Sequence, residues 1–290
     1  MKPLTGFDLL RPRTLVGALE MMVTLEYAMP IAGGTDVVPL FRDVGCKPVH
    51  LIDLGLIPEL NGIVEEGGKV QIGPTTTHAQ LLASKVVEER APALHDAARW
   101  IGSVQIRNRG TVGGNLCNAS PAADTAPPLL VHGAEAQISS LEDARWIPLR
   151  DLFAGPKMTV LEPDELLTGL RFAPAEQSGS SFQRIGRRKG FTLSVVNAAV
   201  YVERDGDKLK EARIALGSVA PTPIRVPRVE DHIRGKKMSE SMIEEAAKAS
   251  MGEARPIDDV RGTAEYRRDM VGVLVKRAMR EAWRRSGGEL

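Results

Sequence analysis

Apolar positions Leu15, Ala18, Leu19 and Met22 follow the i, i+3, i+4, i+7 spacing of one helix face, with Thr14 placed as its N-cap. A short apolar run then meets Gly33-Gly34, and Thr35-Asp36 can cap the turn that follows. Residues 49–54, VHLIDL, alternate as a strand does. This first segment predicts a small β-α-β unit. From residue 57 the pattern changes. Residues 62–73, GIVEEGGKVQIG, are two strand-like runs joined around Glu66-Gly67-Gly68, a hairpin. Thr77 caps a helix through Leu82, and residues 92–99 predict another short helix. Residues 134–139, 145–149 and 165–172 read as strands.

At about 174–181 the stretch PAEQSGSS, small and polar, reads as a linker. Residues 182–188, 193–204 and 211–219 then read as three strands, the last two joined at Asp205-Gly206-Asp207. Two helices follow, one over about Ser239–Ser250. The other carries Tyr266, Met270, Val273, Leu274, Arg277 and Ala278 at helical spacing, mostly an apolar stripe for core packing. The expected organisation is a domain over 1–176, with subdomains of about 1–56 and 57–176, and a smaller α+β domain over 177–290.

Composition narrows the function classes. A chain of 290 residues, 43% hydrophobic and 26% charged, is ordinary globular material for about two domains. Thirty-eight basic against 37 acidic residues argue against nucleic-acid binding, and 4% aromatics are too few for base-stacking platforms. Two cysteines, Cys46 and Cys117, cannot hold an iron–sulfur cluster by themselves, and Cys117 reads as an inert packed thiol. The five histidines lack the spacing of a helical metal site, so no metal ligands are assigned. The first residues hold no signal-peptide core, and no stretch approaches the roughly 20 apolar residues of a membrane span. A cytoplasmic protein with no transmembrane segment is expected.

The candidate chemistry lies in two glycine pairs, Gly33-Gly34 and Gly113-Gly114. Without side chains, backbone amides can approach phosphate oxygens directly, and Thr35 or Thr111 can add a hydroxyl donor. Two such loops could grip a pyrophosphate from both sides. Neither is a G-x-G-x-x-G site or a G-x-x-x-x-G-K-[ST] loop, and a glycine pair alone is as well explained by a tight turn. The second loop continues through Asn115, Cys117, Asn118 and Ala123 to Asp124, an acceptor suited to ribose hydroxyls or, alternatively, an Asx cap on a helix over 126–131.

With these residues in view, the chain resembles the flavin-binding (medium) subunit of molybdenum hydroxylases, the carbon monoxide dehydrogenase and xanthine dehydrogenase family. The resemblance spans nearly the whole chain. It rests on Phe7, Ile31-Ala32-Gly33-Gly34-Thr35-Asp36, Gln105–Gly110 leading into Thr111–Asn115, and Ala119–Asp124. It rests further on Arg184–Arg188, Asn197–Val200 and Gly217–Pro223.

The resemblance implies an α+β architecture. A two-subdomain FAD-binding fold of the p-cresol methylhydroxylase and vanillyl-alcohol oxidase type would be followed by a three-stranded antiparallel sheet with a helix bundle. It implies FAD, held without a covalent bond. Ile31, Ala32, Gly33, Gly34, Thr35 and Asp36 would bind the pyrophosphate from one side, and Thr111, Val112, Gly113, Gly114 and Asn115 from the other. Ala123 and Asp124 would lie at the adenosine ribose, and Leu166 and Leu167 near the adenine. Ile101 would pack beside the isoalloxazine, and Arg184 stands where relatives often carry Lys near the flavin.

The implied partners are a small subunit with two [2Fe–2S] clusters and a large molybdopterin subunit, in a heterotrimer or a dimer of heterotrimers. The chain would take electrons from the clusters and pass them to a quinone, oxygen or NAD, with substrate hydroxylation in the molybdopterin subunit. No catalytic acid/base pair is assigned, which suits relay work. The hydroxybenzoyl-CoA reductases, with cysteines for a [4Fe–4S] cluster in an inserted loop, do not fit two cysteines. Two alternatives differ in class: a self-contained flavin oxidase of the same fold, and a non-enzymatic nucleotide-binding module.

Overall fold

Three short strands and two helices open the chain of the computed structural model, which describes residues 6–43, 50–188 and 190–290. Cys46 lies outside the described residues. β1 (Asp8–Leu10), α1 (Leu15–Thr24), β2 (Ala28–Ile31), α2 (Val37–Asp43) and β3 (His50–Asp53) form a parallel sheet in the order β1-β3-β2. The β-α-β reading holds. Thr14 caps α1 through its hydroxyl to the Gly17 amide, and Ala18, Leu19 and Met22 face the core.

The second unit is an antiparallel sheet together with short helices. β4 (Ile63–Glu66) and β5 (Lys69–Ile72) are the expected hairpin. Its two-residue loop, Gly67-Gly68, has both φ angles positive, the geometry that matches strand twist. Helices α3 (His78–Ala83), α4 (Lys85–Arg90), α5 (Pro92–Trp100), α6 (Val104–Arg107), α7 (Val112–Cys117) and α8 (Ala126–Val131) come next. Thr77 and Gln80 make a reciprocal capping box on α3. β6 (Glu135–Ser139), β7 (Ala144–Pro148), the small pair β8 (Phe153–Gly155) and β9 (Met158–Thr159), and β10 (Leu166–Phe172) complete the unit. The sheet order is β4-β5-β10-β6-β7.

The third unit holds three long strands, β11 (Ser178–Gly186), β12 (Ser194–Asp205) and β13 (Lys208–Gly217), with a two-residue edge strand β14 (Ile224–Arg225). It also holds α9 (Pro227–Ile233), which the sequence pattern left unread, α10 (Glu240–Glu253) and α11 (Ala264–Arg285). Among the described residues no helix is long and apolar enough to cross a membrane.

Two readings need correction here. The stretch PAEQSGSS is not a linker beyond Gln177: Ser178 starts β11, and Ser180 and Ser181 are fully buried. Its small residues reflect close packing. A Cβ on Gly179 would lie 2.1 Å from the Ala282 carbonyl oxygen of α11. The Ser180 hydroxyl accepts from the Ala93 amide of α5 and meets His132 Nε2 at 3.1 Å. The stripe of α11 is also rotated. Arg267, Val271, Leu274, Val275, Ala278 and Ala282 are buried, whereas Tyr266 and Arg277 are exposed.

The units share their cores. β12 is buried on both faces, which explains its nearly continuous apolar run. Val196, Ala198, Val200 and Val202 pack toward α10 and α11, while Ala199 and Tyr201 join the core of the second unit.

Candidate cofactor site

The fold brings the two glycine loops into contact. A Cβ on Gly33 would lie 2.0 Å from the Arg109 carbonyl oxygen and 2.9 Å from the Gly110 Cα. A Cβ on Gly110 would lie 3.3 Å from Thr35 Oγ1. Only glycine allows this approach. Gly34 follows at φ +71°, a left-handed conformation that suits it. Among the described residues no carbonyl accepts from the amides of Gly33, Gly34, Thr35 or Asp36, so four adjacent donors are open.

The second loop differs from the expectation of free amides. Val112 N–H donates to the Thr76 carbonyl and Gly113 N–H to that of Pro74, while Asn115 N–H donates to that of Thr111. Gly114 N–H donates to Thr111 Oγ1, the N-cap of α7. The loop is thus a rigid wall, and its glycines have separate tasks. Gly113 is buried, with a Cβ position 2.5 Å from Pro74 Cβ, so it serves packing. Gly114 is exposed, and a Cβ there would meet only Thr111 Oγ1, at 3.0 Å. What remains to donate is the Thr111 hydroxyl and the Asn115 side-chain amide. Asn115 Oδ1 accepts from Thr125 Oγ1 at 2.6 Å, which ties this wall to the segment carrying Asp124.

Asp124 is not a helix cap: Thr125 is the N-cap residue of α8 and makes no side-chain capping bond. The Asp124 carboxylate is buried. Its Oδ1 accepts from Ser194 Oγ at 2.5 Å and Asn197 Nδ2 at 2.8 Å, and its Oδ2 from Arg184 Nη1 at 3.0 Å. Burial pushes the carboxyl above the ordinary value, against the pull of Arg184, Ser194 and Asn197. Arg184 also donates to the carbonyls of Trp100 and Thr192. With its side chain only 5% exposed, it is a fork joining three segments rather than a cation reaching into open space.

Known proteins share this architecture. The FAD binding domain in molybdopterin dehydrogenase matches residues 5–174, and the CO dehydrogenase flavoprotein C-terminal domain matches residues 181–282. The chain belongs to this family of FAD-binding proteins. It is similar to the carbon monoxide dehydrogenase medium chain of Hydrogenophaga pseudoflava, 34% identical over 96% of this chain and 98% of that one. It is similar also to a putative xanthine dehydrogenase FAD-binding subunit of Escherichia coli, 31% identical over 97% of each. Among solved structures, carbon monoxide dehydrogenase from Hydrogenophaga pseudoflava superposes with a TM-score of 0.93 at 33% identity, covering 98% of this chain and 99% of that one.

Within this FAD-binding family member the remaining sequence-predicted residues fall into two groups. Ile101, half-buried at the end of α5, lies beside Trp100 and so beside Arg184. A pocket of about 350 Å³ opens there, lined by Trp100, Arg184, Ile185, Gly186, Arg188 and Thr192 among others. Leu166, Leu167, Val112 and Ala123 instead point into the cores. The two leucines are 2% and 4% exposed, because β10 is the central strand of its sheet, so they underlie the site rather than line it.

Asn197 and His78 carry no site role in the sequence reading, where Asn197 stands only within a family motif. Asn197, a polar residue inside VVNAAV, was a visible signal, and Gly217 leaves the room its amide occupies. His78 is buried under the contact between the loops, with its Cδ2 3.2 Å from where a Gly110 Cβ would be, and its Nδ1 has no partner among the described residues. Burial, then the Arg107 charge, lowers it to about 4. Burial pushes the Cys117 thiol up to about 12, in keeping with an inert packed thiol.

Proposed function

We propose that this chain is the FAD-bearing electron-transfer subunit of a multi-subunit molybdenum hydroxylase, with units of 1–176 and 177–290. The contact of Gly33 with Arg109 and Gly110 carries the reading, because it sets the open amides of 33–36 against the wall of 111–115. The residues fit a dinucleotide. Donors at 33–36, the Thr111 hydroxyl and the Asn115 amide would hold the pyrophosphate, with Ile31 and Ala32 leading into that turn. Three of about four acceptor positions on Asp124 are filled, and the one left on Oδ2 would accept from a ribose hydroxyl. Ile101 would pack against the ring, while Arg184 would hold Trp100 and Thr192 around it.

Bound FAD exchanges electrons singly or in pairs, the chemistry that joins one-electron iron–sulfur carriers to a two-electron acceptor. The protein's part is to bind, orient and shield the cofactor. A [2Fe–2S] subunit and a molybdopterin subunit are the proposed partners, in a heterotrimer or a dimer of heterotrimers. Carbon monoxide dehydrogenase and xanthine dehydrogenase relatives that match over 98% and 97% of their length support this. Substrate hydroxylation belongs to the molybdopterin partner, and a cytoplasmic location goes with the proposal.

Purified chain should carry one FAD, released intact by acid or heat. FMN in its place, or flavin that stays with the precipitate, would refute the binding mode. Co-expression with the adjacent genes should give a complex larger than 31.4 kDa on size exclusion. Reduction of the isolated flavoprotein by a small organic substrate would instead support a self-contained oxidase.

A further inference from the structure

The connection between α10 and α11 closes on itself where the backbones of Asp259 and Gly262 pair. It gathers three charged side chains: Asp259, Arg261 and, from the start of α11, Arg267. Asp259 Oδ2 accepts from Arg261 Nε at 2.9 Å and Nη2 at 2.6 Å. Its Oδ1 accepts from the Arg261 amide at 2.8 Å and from Arg267 Nη2. Arg267 is 1% exposed, and its Nε has no partner among the described residues. Burial works against the Asp259 charge, yet the bonds from Arg261 and Arg267 hold its carboxyl well below the ordinary value. The cluster is therefore ionised, and its two arginines have donors left for other partners.

Each arginine sends one further bond, and both end on the segments that hold Asp124. Arg261 Nη1 donates to the Ser194 carbonyl at 3.3 Å, and the Ser194 hydroxyl binds Asp124. Arg267 Nη1 donates to the Ser218 carbonyl at 3.1 Å. Ser218 lies at φ +63°, a left-handed conformation that is costly for a residue with a side chain and persists only where its surroundings over-determine it. Its other polar groups are committed as well. The hydroxyl donates to the Ser194 carbonyl at 3.1 Å, and the amide donates at 2.7 Å to the carbonyl of Pro121, three residues before Asp124. Gly217, next to Ser218, pairs with Asn197 across the sheet and leaves room for the side-chain amide that reaches Asp124.

We propose that Asp259, Arg261 and Arg267 are positioning residues for the cofactor site, which act by fixing Ser194 and Ser218 so that Asp124 presents its free oxygen position to FAD. The inference rests on the reading of Asp124 as a cofactor ligand. Of the three donors to that carboxylate, Ser194 stands one bond from the cluster and Asn197 is placed by the glycine beside Ser218. Only Arg184 is held independently, through Trp100 and Thr192. A carboxylate aimed at one hydroxyl must be held closely, because hydrogen bonds weaken steeply as their angle degrades. A cluster that pins both neighbouring strand ends supplies that constraint, and it does so without touching the cofactor. Loss of the cluster should therefore appear first as lost FAD affinity.

The test is a double-mutant cycle on the full-length chain, read by FAD titration of apo-protein, with apo melting temperature recorded alongside. Arg261→Met removes the bond to Ser194 and leaves the Asp259–Arg267 pair. It should weaken FAD binding at least fivefold. In the Asp124→Ala background the same change should alter affinity less than twofold, because the residue it acts through is gone. Should Asp124→Ala not fold, Asp124→Asn takes its place, and the Arg261→Met factor should be at least halved there. Should Arg261→Met not fold, Arg261→Lys is scored by the same criteria. Affinity within twofold of wild type for the Arg261 variant would overturn the proposal, whatever its melting temperature does. An equal loss in both backgrounds would also overturn it, since that marks a general effect on the fold. Failure of the underlying reading shows separately, before Arg261 is changed: Asp124→Ala would then leave FAD affinity intact.

Discussion

At the scale of single residues, the Asp124–Arg184 pair sets what substitutions will do. Both side chains are buried, so removing one partner leaves the other as an uncompensated charge. Asp124→Ala should therefore cost about 3–5 kcal/mol of stability. Asp124→Asn should cost less, because its amide oxygen still accepts from one donor. If the free position on Oδ2 holds a ribose hydroxyl, Asp124→Ala also weakens FAD binding at least tenfold. Melting of apo-protein and FAD titration, run on both variants, separate the two effects. Stability that falls while affinity holds would remove Asp124 from the cofactor site.

The glycine pair at 113–114 makes a second contrast. Gly113→Ala drives a methyl group into Pro74 and should cost about 1–3 kcal/mol of stability as an overpacked site. Gly114→Val meets only the Thr111 hydroxyl oxygen, 3.0 Å from the Cβ position, so it should fold after a small shift of that side chain, yet fill the room a pyrophosphate needs. Affinity for FAD within threefold of wild type, a difference below about 0.7 kcal/mol, would show that this wall does not face the phosphates.

At the scale of elements, helices α5 and α8 meet β11 and β12 through buried polar contacts that respond to pH. His132 lies between the Phe172 and Tyr201 rings, 3.1 Å from the Ser180 hydroxyl, and burial with the nearby Arg213 charge lowers it to about 3. His78 is lowered to about 4. Both values lie below the 6.5 of an unperturbed histidine, so below pH 6.5 the unfolded chain takes up protons that the folded chain refuses. Stability should therefore fall with pH from about 6.5 downward, by about 1 kcal/mol per pH unit for each histidine. Melting curves between pH 7.5 and 5 measure the slope. His132→Gln should remove about one proton's worth of it, and an unchanged slope would assign the acid sensitivity elsewhere.

At the scale of the whole molecule, the third unit completes the core of the second. Phe182, Ala199, Tyr201 and Ala215 come from its sheet and pack among the residues of α5, α8 and β10. A fragment of residues 1–176 would expose that surface and lose the donors that hold Asp124. It should show no cooperative melting transition and no FAD binding. A fragment that melts sharply and binds FAD with native affinity would mean that the units are energetically separate.

Much of this architecture follows from local rules that act without tertiary help. The Thr14 and Thr77 caps, the Gly67-Gly68 turn and the alternation in β4 and β5 each depend on residues close in sequence, so their elements were legible. The glycine pairs were legible too, because only glycine tolerates such close backbone approach. The tasks of those residues were not legible, since packing assigns them. The Ser and Gly of 178–181 have a linker's composition, and only the approach of α11 and α5 makes them strand. Gly113 and Gly114 are alike in sequence, and Pro74, 39 positions before the first, makes one structural and leaves the other open. The partners of Asp124 lie 60 to 73 residues away in sequence. A buried charge must be met by whatever donors the fold delivers, and that decision belongs to the tertiary structure alone.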